Sequence, residues 1–197
     1  MSIVTVRNLK RTYVQGDHEV KALDGVDLSI EKGEFTVLMG PSGSGKTTLL
    51  NAINGVAPAD SGEVLMNGES FHQQVSRDRS LVGIVPQDDL VHAELTVEES
   101  LYYSGRLRLS ATDDDETVQV QVDRVLEELE LGHIRSSRIG DVLKRGISGG
   151  QRKRVNLGQE LMSQGTRVLF LDEPTSGLDS AAAAAILTLL ARIARSR

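Results

Sequence analysis

The sequence predicts an α/β fold: a mostly parallel sheet with an antiparallel β subdomain at the N-terminus and an inserted α-helical subdomain. Three short, largely apolar segments are typical of strands buried on both faces, and they occupy residues 35–39, 81–85 and 167–171. Helical patterns separate these runs, and strands that alternate with helices favour a parallel sheet. The first 30 residues show a different pattern, which predicts the antiparallel part.

Residues 1–30 alternate apolar and polar side chains at a period of two, as at Val4 and Val6. This alternation is typical of antiparallel strands with one buried face. Residues 31–33 are expected to turn before the first apolar run. Residues 63–68 predict a further strand that ends in a turn.

The middle third of the chain predicts helices. Thr96 and Glu99 have the spacing of a capping box, which predicts a helix from there to about Leu109. Residues 113–116 place negative charge on the first turn of the next helix, where the helix dipole favours it. The apolar residues of that helix fall on one face and predict its buried side: Val118, Val122, Val125, Leu126 and Leu129. Gly132 is expected to end this helix.

The last predicted element is an alanine-rich helix from residue 181 to about Arg195. Asp179 and Ser180 precede it, and both are residue types that cap helix N-termini. Neither an internal repeat nor a low-complexity linker interrupts the sequence. With 197 residues and 39% hydrophobic content, we expect one compact domain with subdomains.

The composition excludes several classes of function. The chain has 22 Lys and Arg against 28 Asp and Glu, a net charge of -6, so we expect no diffuse electrostatic binding to nucleic acid. The absence of cysteine excludes disulfides and thiolate metal sites. Only 3% of the residues are aromatic, which leaves few candidates for stacking on bases. No stretch approaches about 18 consecutive apolar residues, the length of a membrane-spanning helix.

Residues 40–48, Gly-Pro-Ser-Gly-Ser-Gly-Lys-Thr-Thr, match the pattern of a phosphate-binding loop. The loop follows the first apolar run and precedes a helical pattern, which is the context that the motif requires. Glycines let backbone N–H groups turn toward a polyphosphate, and the helix adds its positive end. We expect Lys46 to bind the β- and γ-phosphates and the Thr47 hydroxyl to complete a Mg²⁺ shell. The alternative is a glycine-rich turn that matches by chance.

The third apolar run ends in two carboxylates, Asp172 and Glu173. Mg²⁺ prefers oxygen ligands, so Asp172 is a candidate to hold it, directly or through water. Glu173 is a candidate general base for an attacking water. A strand-end Asp-Glu pair alone is more often a solvated turn, but downstream of a phosphate loop it predicts nucleotide hydrolysis.

Residues 147–151, Ile-Ser-Gly-Gly-Gln, predict a second anion site. Ser148 stands before two glycines and a helix, so a hydroxyl and backbone N–H groups are available to one phosphate. A second γ-phosphate site in one chain is expected to serve a nucleotide held by another subunit. Residues 152–154 are three cations at the start of this helix, where they oppose its dipole. They face either an anionic neighbour, such as phosphate or an acidic surface, or solvent.

Five motifs, in this order, resemble the nucleotide-binding domain of ABC transporters: the phosphate loop, Gln87 after a strand, Ser148-Gly-Gly-Gln151, Leu171-Asp-Glu-Pro174 and Ser176-Gly-Leu-Asp179. The resemblance spans essentially the whole chain. The sequence variants at residues 95–100, 147–154 and 173–179 resemble the G subfamily, whose membrane half is of the type-2 exporter kind. The resemblance implies a P-loop NTPase (RecA-like) fold in one ATP-binding domain, residues 1–197. Its nucleotide-binding core would comprise residues 1–87 and 165–197, with the helical subdomain at 88–164.

The resemblance also implies a function and its partners. Two such domains bind two ATP-Mg²⁺ between them, and their closure drives an exporter-type membrane domain before hydrolysis resets the pair. The expected partners are a second nucleotide-binding domain and a transmembrane domain fused in the full-length chain. The expected location is the cytoplasmic side of a membrane.

Roles at matching positions are implied in the same way. Lys46, Gln87 and Glu173 are catalytic, with Glu173 as the base. Mg²⁺ is held by Thr47, Gln87 and Asp172, and Asp179 lies at the dimer seam. ATP contacts come from two motifs: Gly40, Ser42, Gly43, Ser44, Gly45, Lys46, Thr47, Thr48, Ser148, Gly149, Gly150 and Gln151. Tyr13 occupies the region where an aromatic ring stacks on adenine; the alternative is a strand tyrosine packed on its neighbours.

One residue of the family has no counterpart. The family places a histidine on the strand beyond the final helix, whereas all four histidines here precede Asp172: His18, His72, His92 and His133. We expect the chain to be part of a longer polypeptide that carries this histidine. A missing strand would leave a gap in the sheet beside residues 35–39, so we expect the chain alone to bind ATP weakly and hydrolyse it poorly.

Two other functions are compatible with parts of the sequence. One is a soluble ABC ATPase of DNA repair or translation. Repair members carry a long coiled coil before the Ser-Gly-Gly motif, but residues 48–147 have no sustained heptads, and translation members usually carry two such domains. The other is a nucleotide-binding fragment without turnover, against which Glu173 argues.

Overall fold

The computed structural model describes residues 2–16, 18–110, 112–141 and 146–196. Its internal contacts divide the chain into two compact units, Met1–Arg79 with Ala194–Arg197, and Ser80–Ile193. Across the described ranges, no helix combines the length and the apolar character needed to span a membrane.

The first unit is built on an antiparallel sheet. Its elements are β1 (Ser2–Gln15), β2 (His18–Glu31), α1 (Lys46–Asn54), β3 (Ser61–Met66), β4 (Glu69–Ser70) and α2 (Phe71–Arg77). The four strands lie in the order β2-β1-β3-β4. Val4, Val6 and Met66 are buried on the same sheet, and Phe71 of α2 is buried too. The predicted antiparallel subdomain is therefore confirmed.

The turn after β3 also agrees with the sequence prediction. Asn67 and Gly68 both have positive φ, 52° and 84°. Asparagine and glycine are the residues that tolerate this left-handed conformation best, so the pair reverses the chain at low cost. The Asn67 N–H donates to the Ile3 carbonyl at 3.0 Å, which ties the turn to β1.

The prediction of a strand at residues 35–39 is wrong. The segment forms no strand, and Val37, Leu38 and Met39 are 54%, 36% and 88% exposed. A strand exists only when a neighbour hydrogen-bonds its backbone, and no described strand pairs with this run. The apolar residues predict that a strand at this position would be buried on both faces. They do not indicate which strands would pair with it.

The second unit combines a parallel strand pair with helices. Its elements are β5 (Val82–Val85), α3 (Val97–Arg108), α4 (Asp115–Glu128), α5 (Gly149–Leu161), β6 (Val168–Leu171) and α6 (Ser180–Ser196), with 3₁₀ turns at Arg79–Leu81 and Gly132–Ile134. β5 and β6 pair in parallel register, with Val85 opposite Leu171. Two of the three predicted buried strands are thus confirmed, and the parallel part of the described sheet is smaller than predicted.

The helices predicted for the middle third are present, and capping hydrogen bonds form at the N-termini of α3 and α4. The Glu99 N–H donates to Thr96 Oγ1 at 3.2 Å, and Glu99 Oε2 accepts from the Thr96 N–H at 2.8 Å, so the capping box opens α3. Asp114 caps α4 by accepting from the Thr117 N–H at 2.8 Å. The predicted apolar face of this helix is buried: Val118, Val122, Val125, Leu126 and Leu129.

The end of α4 differs from the prediction. The helix stops at Glu128, before Gly132, because Glu130 adopts a left-handed backbone with φ of 58°. The Leu131 N–H then donates back to the Leu126 carbonyl at 2.8 Å. Glycine is the usual residue in this position of a helix end, and here a glutamate fills it.

α5 packs closely against the other helices of its unit. A Cβ on Gly158 would lie 2.8 Å from Leu101 of α3 and 2.9 Å from Leu129, which follows α4. These distances leave no room for any larger residue unless the neighbours shift. The glycine therefore lets α5 approach closely, and the residues at the start of α5 are held by a packed core.

An ion pair joins the start of α3 to the turn after α4, and it is expected to make stability depend on pH. Glu98 accepts hydrogen bonds from Arg135, and from Gln119 Nε2 at 2.9 Å. The hydrogen bonds from Arg135 lower the pKa of Glu98, and partial burial opposes them. A carboxyl whose pKa is lowered by folding stabilises the fold above its unfolded pKa and loses that contribution as the pH falls through the folded pKa.

Glu98→Gln is expected to lower the free energy of unfolding by about 0.5 kcal/mol at neutral pH, a typical value for a partly exposed ion pair. The difference should shrink as the pH falls toward the lowered pKa of Glu98, so it should be smaller at an acidic pH than at neutral pH. Urea unfolding of both proteins at the two pH values measures this. Glu127→Gln, on an exposed position of α4, is the matched control and should change neither value. A loss of equal size at both pH values would contradict the assignment.

Candidate functional site

The loop at residues 40–45 requires its glycines, as a phosphate loop should. Gly45 has a φ of 86°, and a Cβ on it would lie 2.8 Å from the Ala22 carbonyl oxygen. A Cβ on Gly40 would lie 2.7 Å from Ser44 Oγ. Gly43 also has positive φ, 79°. The backbone conformation is therefore one that only a glycine-rich sequence adopts easily.

Lys46, the first residue of α1, turns its ammonium back toward this loop. Its Nζ donates to the carbonyl oxygens of Gly40 at 2.8 Å and Pro41 at 2.9 Å. The loop thus curves around the lysine, with Ser42, Gly43 and Ser44 exposed along it. A single cation lies inside a curve of exposed backbone, an arrangement that suits a polyphosphate.

The start of α1 is built differently from the starts of the helices in the second unit. Its N-cap is Gly45, no side chain caps it, and its first turn has no acidic residue. α3, α4 and α5 each have a side-chain cap. An uncapped N-terminus without negative charge favours an anion from outside the chain. Thr47 is exposed and Thr48 half-buried at this end, and the residues present fit a nucleotide phosphate.

Tyr13 lies on β1 of the same unit and is 42% exposed. The guanidinium of Arg11 lies 5.1 Å from the centroid of its ring, a cation–π contact. Arg11 is held in turn by Asp60, at 2.8 Å. One face of the ring is thus packed on a neighbour, and a role in adenine stacking stays a prediction.

In the second unit, the parallel pair brings Gln87, Asp172 and Glu173 to one edge. The two strands run in the same direction, and the Asp172 N–H continues their ladder by donating to the Val85 carbonyl at 3.0 Å. Residues that follow β5 and β6 therefore leave the sheet side by side. Gln87 and Glu173 are exposed at this edge, and Asp172 is half-buried.

Glu173 has an unusual backbone. Its φ is 47°, in the left-handed region that costs energy for a residue with a side chain. The Ser176 N–H donates to its carbonyl at 3.0 Å and closes a turn. Such outliers cluster at functional sites, where the surrounding structure maintains them. Asp179 ends this turn and caps α6 by accepting from the Ala182 N–H at 2.9 Å, as predicted.

Ser148 and Gln151 cap α5 reciprocally. The Gln151 N–H donates to Ser148 Oγ at 3.3 Å, and the Ser148 N–H donates to Gln151 Oε1 at 2.8 Å. The spacing of serine and glutamine is that of a capping box, a signal that the sequence analysis did not use here. The capping box shapes the end of the helix that carries the two glycines.

Packing against the residues that the structure describes does not require the glycines of this motif. A Cβ on Gly149 would lie 3.5 Å from Leu178, and one on Gly150 would lie 3.7 Å from Ala182, both ordinary contact distances. Neither glycine has positive φ.

The three cations at the start of α5 all have partners within the chain, so the solvated-face interpretation is wrong. The partners of Lys153 and Arg154 are carboxylates, as the anionic-neighbour interpretation expects, whereas Arg152 binds a neutral carbonyl. Arg152 donates to the Gly140 carbonyl at 2.9 Å. Lys153 pairs with Asp89 at 3.0 Å, and Arg154 with Glu130 at 2.8 Å. Their partners lie far away in the sequence, and no local pattern identifies them.

The candidate residues thus fall into two groups. The phosphate loop and Tyr13 belong to the first unit, and Gln87, Asp172, Glu173 and the serine-glycine motif belong to the second. Within each unit, the structure brings the predicted residues to a loop, a strand edge or a helix start.

Comparisons with known proteins agree with this geometry. The family described as ABC transporter matches residues 23–176. ABC transporter G family member 28 of Arabidopsis thaliana is 47% identical over 165 residues, which cover 83% of this chain and 15% of that protein. The ABC transporter ATP-binding/permease protein Rv1747 of Mycobacterium tuberculosis is 43% identical over 180 residues, which cover 90% of this chain and 20% of that protein.

Solved structures agree as well. CbiO1 of Clostridium perfringens, part of the ABC transporter complex cbiONQ, superposes with a TM-score of 0.81 at 27% identity, covering 99% of this chain and 74% of its own. The ATP-binding cassette MJ0796, in a dimeric post-hydrolysis state with ADP and phosphate, superposes with a TM-score of 0.78 at 28% identity, covering 98% of this chain and 83% of its own. The chain spans about a fifth of the length of the curated relatives it matches.

Proposed function

Because this chain belongs to the ABC transporter family as an ATP-binding domain with G-family relatives, we propose that it binds and hydrolyses ATP in a pair of such domains that drives an exporter-type membrane domain. The proposal rests mainly on the conformation of the phosphate loop. Gly43 and Gly45 have positive φ, a Cβ on Gly45 would lie 2.8 Å from a backbone oxygen, and the loop curves around Lys46 at an uncapped helix start.

In this proposal, the loop and Lys46 hold the triphosphate. The ammonium of Lys46 and the N–H groups at the start of α1 bind its negative charge. Mg²⁺, when bound, neutralises phosphate charge. Thr47, Asp172 and Gln87 supply oxygen atoms of the kind that this ion prefers.

Glu173 is the proposed general base. Its exposed carboxylate can accept a proton from a water molecule as that water attacks the γ-phosphate. Gln87 leaves the neighbouring strand at the same edge, so its amide can orient the same water. The left-handed backbone of Glu173 supports a functional role for this turn.

The serine-glycine motif is proposed to bind a nucleotide held by a second copy of the domain. A Cβ on Gly149 or Gly150 would meet the described residues only at ordinary contact distances, and both glycines lie at the start of a helix that favours anions. The dimeric state of the MJ0796 cassette supports this arrangement for a related protein. We propose that Asp179, in the turn before α6, lies at the seam of the pair.

A membrane domain is the proposed partner for transport. The relatives are named as transporters, and one is named as a combined ATP-binding and permease protein, which favours transport over a role in DNA repair or translation. We propose that residues 88–164 form the helical part of the domain and that residues 1–87 and 165–197 form its nucleotide-binding core. The domain then works at the cytoplasmic side of the membrane.

Complementation between two inactive variants tests the shared site. Lys46→Met disables the loop, and Ser148→Arg blocks the serine-glycine motif, so each variant alone should lack magnesium-dependent ATP turnover. A mixture forms mixed dimers with one intact site. We expect about a quarter of wild-type turnover at equal amounts, because half of randomly formed dimers are mixed and each has one intact site of two. A mixture as inactive as its components would contradict the shared site.

A further inference from the structure

The loop that carries Gln87 is bound directly by α5. Lys153 Nζ donates to the Gln87 carbonyl oxygen at 2.6 Å and lies 3.0 Å from a carboxylate oxygen of Asp89. The side chains of Lys153 and Asp89 are only 10% and 21% exposed. Because both partners lie largely away from water, removing the lysine would leave a carbonyl acceptor and a carboxylate without their cation.

α5 is itself held firmly on either side of Lys153. Arg152 donates to the Gly140 carbonyl at 2.9 Å. Arg154 pairs with Glu130, which also accepts from Arg192 at 3.0 Å. Gly158 seats the helix against its neighbours, as described above. The start of α5 is therefore a rigid support for the loop after β5.

We propose that Lys153 is a positioning residue that fixes the backbone of Gln87 relative to the start of α5. The inference rests on the proposed function, which assigns Gln87 to Mg²⁺ and the attacking water and Ser148 to the facing nucleotide. Because Lys153 binds the main-chain carbonyl, it leaves the exposed side-chain amide of Gln87 available. The Gln87 loop and the serine-glycine motif then move as one body.

The effect of Lys153 is expected on turnover and not on nucleotide affinity. In the proposed function the triphosphate is bound by the phosphate loop and Lys46, and Lys153→Met changes neither. A displaced Gln87 misplaces the attacking water, and small displacements of reacting groups are costly in rate. Lys153→Met should therefore lower kcat by about ten- to a hundredfold while the KM for MgATP changes by less than about twofold.

A double-mutant comparison separates this role from a merely structural one. If Lys153 acts through the Gln87 side chain, Lys153→Met should add less than about twofold to the loss in kcat caused by Gln87→Ala. A structural role predicts the same further loss in both backgrounds. Lys153→Arg keeps a cationic donor and should restore kcat to within about threefold of wild type. Lys32→Met, the same change at an exposed turn lysine, is the control and should leave kcat unchanged.

A second measurement does not depend on activity. Hydrogen exchange of the backbone amides of residues 87–90 should be faster in Lys153→Met than in wild type, and unchanged in Lys32→Met. An undiminished kcat in Lys153→Met, equal losses in the two backgrounds, or unchanged exchange would overturn the inference and leave the proposed function standing. Full-length wild-type protein that neither bound MgATP nor turned it over would overturn the proposed function itself.

Discussion

Glu173→Gln is expected to lower ATP turnover by about 10²- to 10⁴-fold, the usual contribution of a positioned general base. Glutamine has nearly the same shape but cannot accept the proton of the attacking water. The phosphate loop is unchanged in this variant, so the affinity for ATP should remain within about twofold of wild type. Nucleotide held without hydrolysis should keep two copies closed on each other, so dimers should accumulate.

Three measurements check this expectation: phosphate release, ATP affinity and molar mass by light scattering with ATP and magnesium. Glu127→Gln makes the same chemical change on an exposed position of α4, and it should match wild type in all three. Unchanged turnover in Glu173→Gln would refute the role of this carboxylate as the base. A variant that bound no ATP would show that Glu173 acts on nucleotide binding.

Lys46→Met is expected to weaken MgATP binding by about a hundredfold, because the change removes the cation that binds the phosphates. Methionine keeps the length of the side chain but has no charge and no donor. The same change also releases the carbonyls of Gly40 and Pro41, which accept from Lys46 at 2.8 Å and 2.9 Å. The loop should therefore become less ordered as well.

Calorimetric titration with MgATP measures the loss, and Lys32→Met is the matched control. Urea unfolding without nucleotide shows whether the variant remains folded. Adding MgATP should stabilise wild type against urea and should have little effect on Lys46→Met, since a ligand stabilises the fold according to its affinity. Wild-type affinity in the variant would contradict the assignment of residues 40–48 as the nucleotide loop.

Local sequence patterns predicted those parts of the fold that depend on near neighbours. The capping box of Thr96 and Glu99, the turn at Asn67 and Gly68, and the apolar face of α4 were predicted correctly, because each depends on residues a few positions apart. The end of α4 was missed, because Glu130 takes a backbone conformation that usually belongs to glycine. The strand at residues 35–39 was predicted from apolar content alone and is not formed.

The residues of the candidate site also divide into those that the sequence could identify and those that it could not. The phosphate loop could be found from its spacing, and the positive φ of Gly43 and Gly45, with the close backbone contact of Gly45, explains why glycine is needed at these two positions. The partners of residues 152–154 could not be found. Lys153 binds the Gln87 carbonyl across 66 positions of sequence, and nothing near either residue indicates the other.

By itself, the sequence identified the candidate residues for the chemistry: a glycine-rich loop, a lysine, two strand-end carboxylates and a serine-glycine motif. It could do so because these motifs act through backbone conformation and charge over a few adjacent residues. Only the tertiary structure decided which strands pair and which anions the cations of α5 contact. Those contacts join distant segments, and the free energy that selects them comes from burial and pairing in the folded chain.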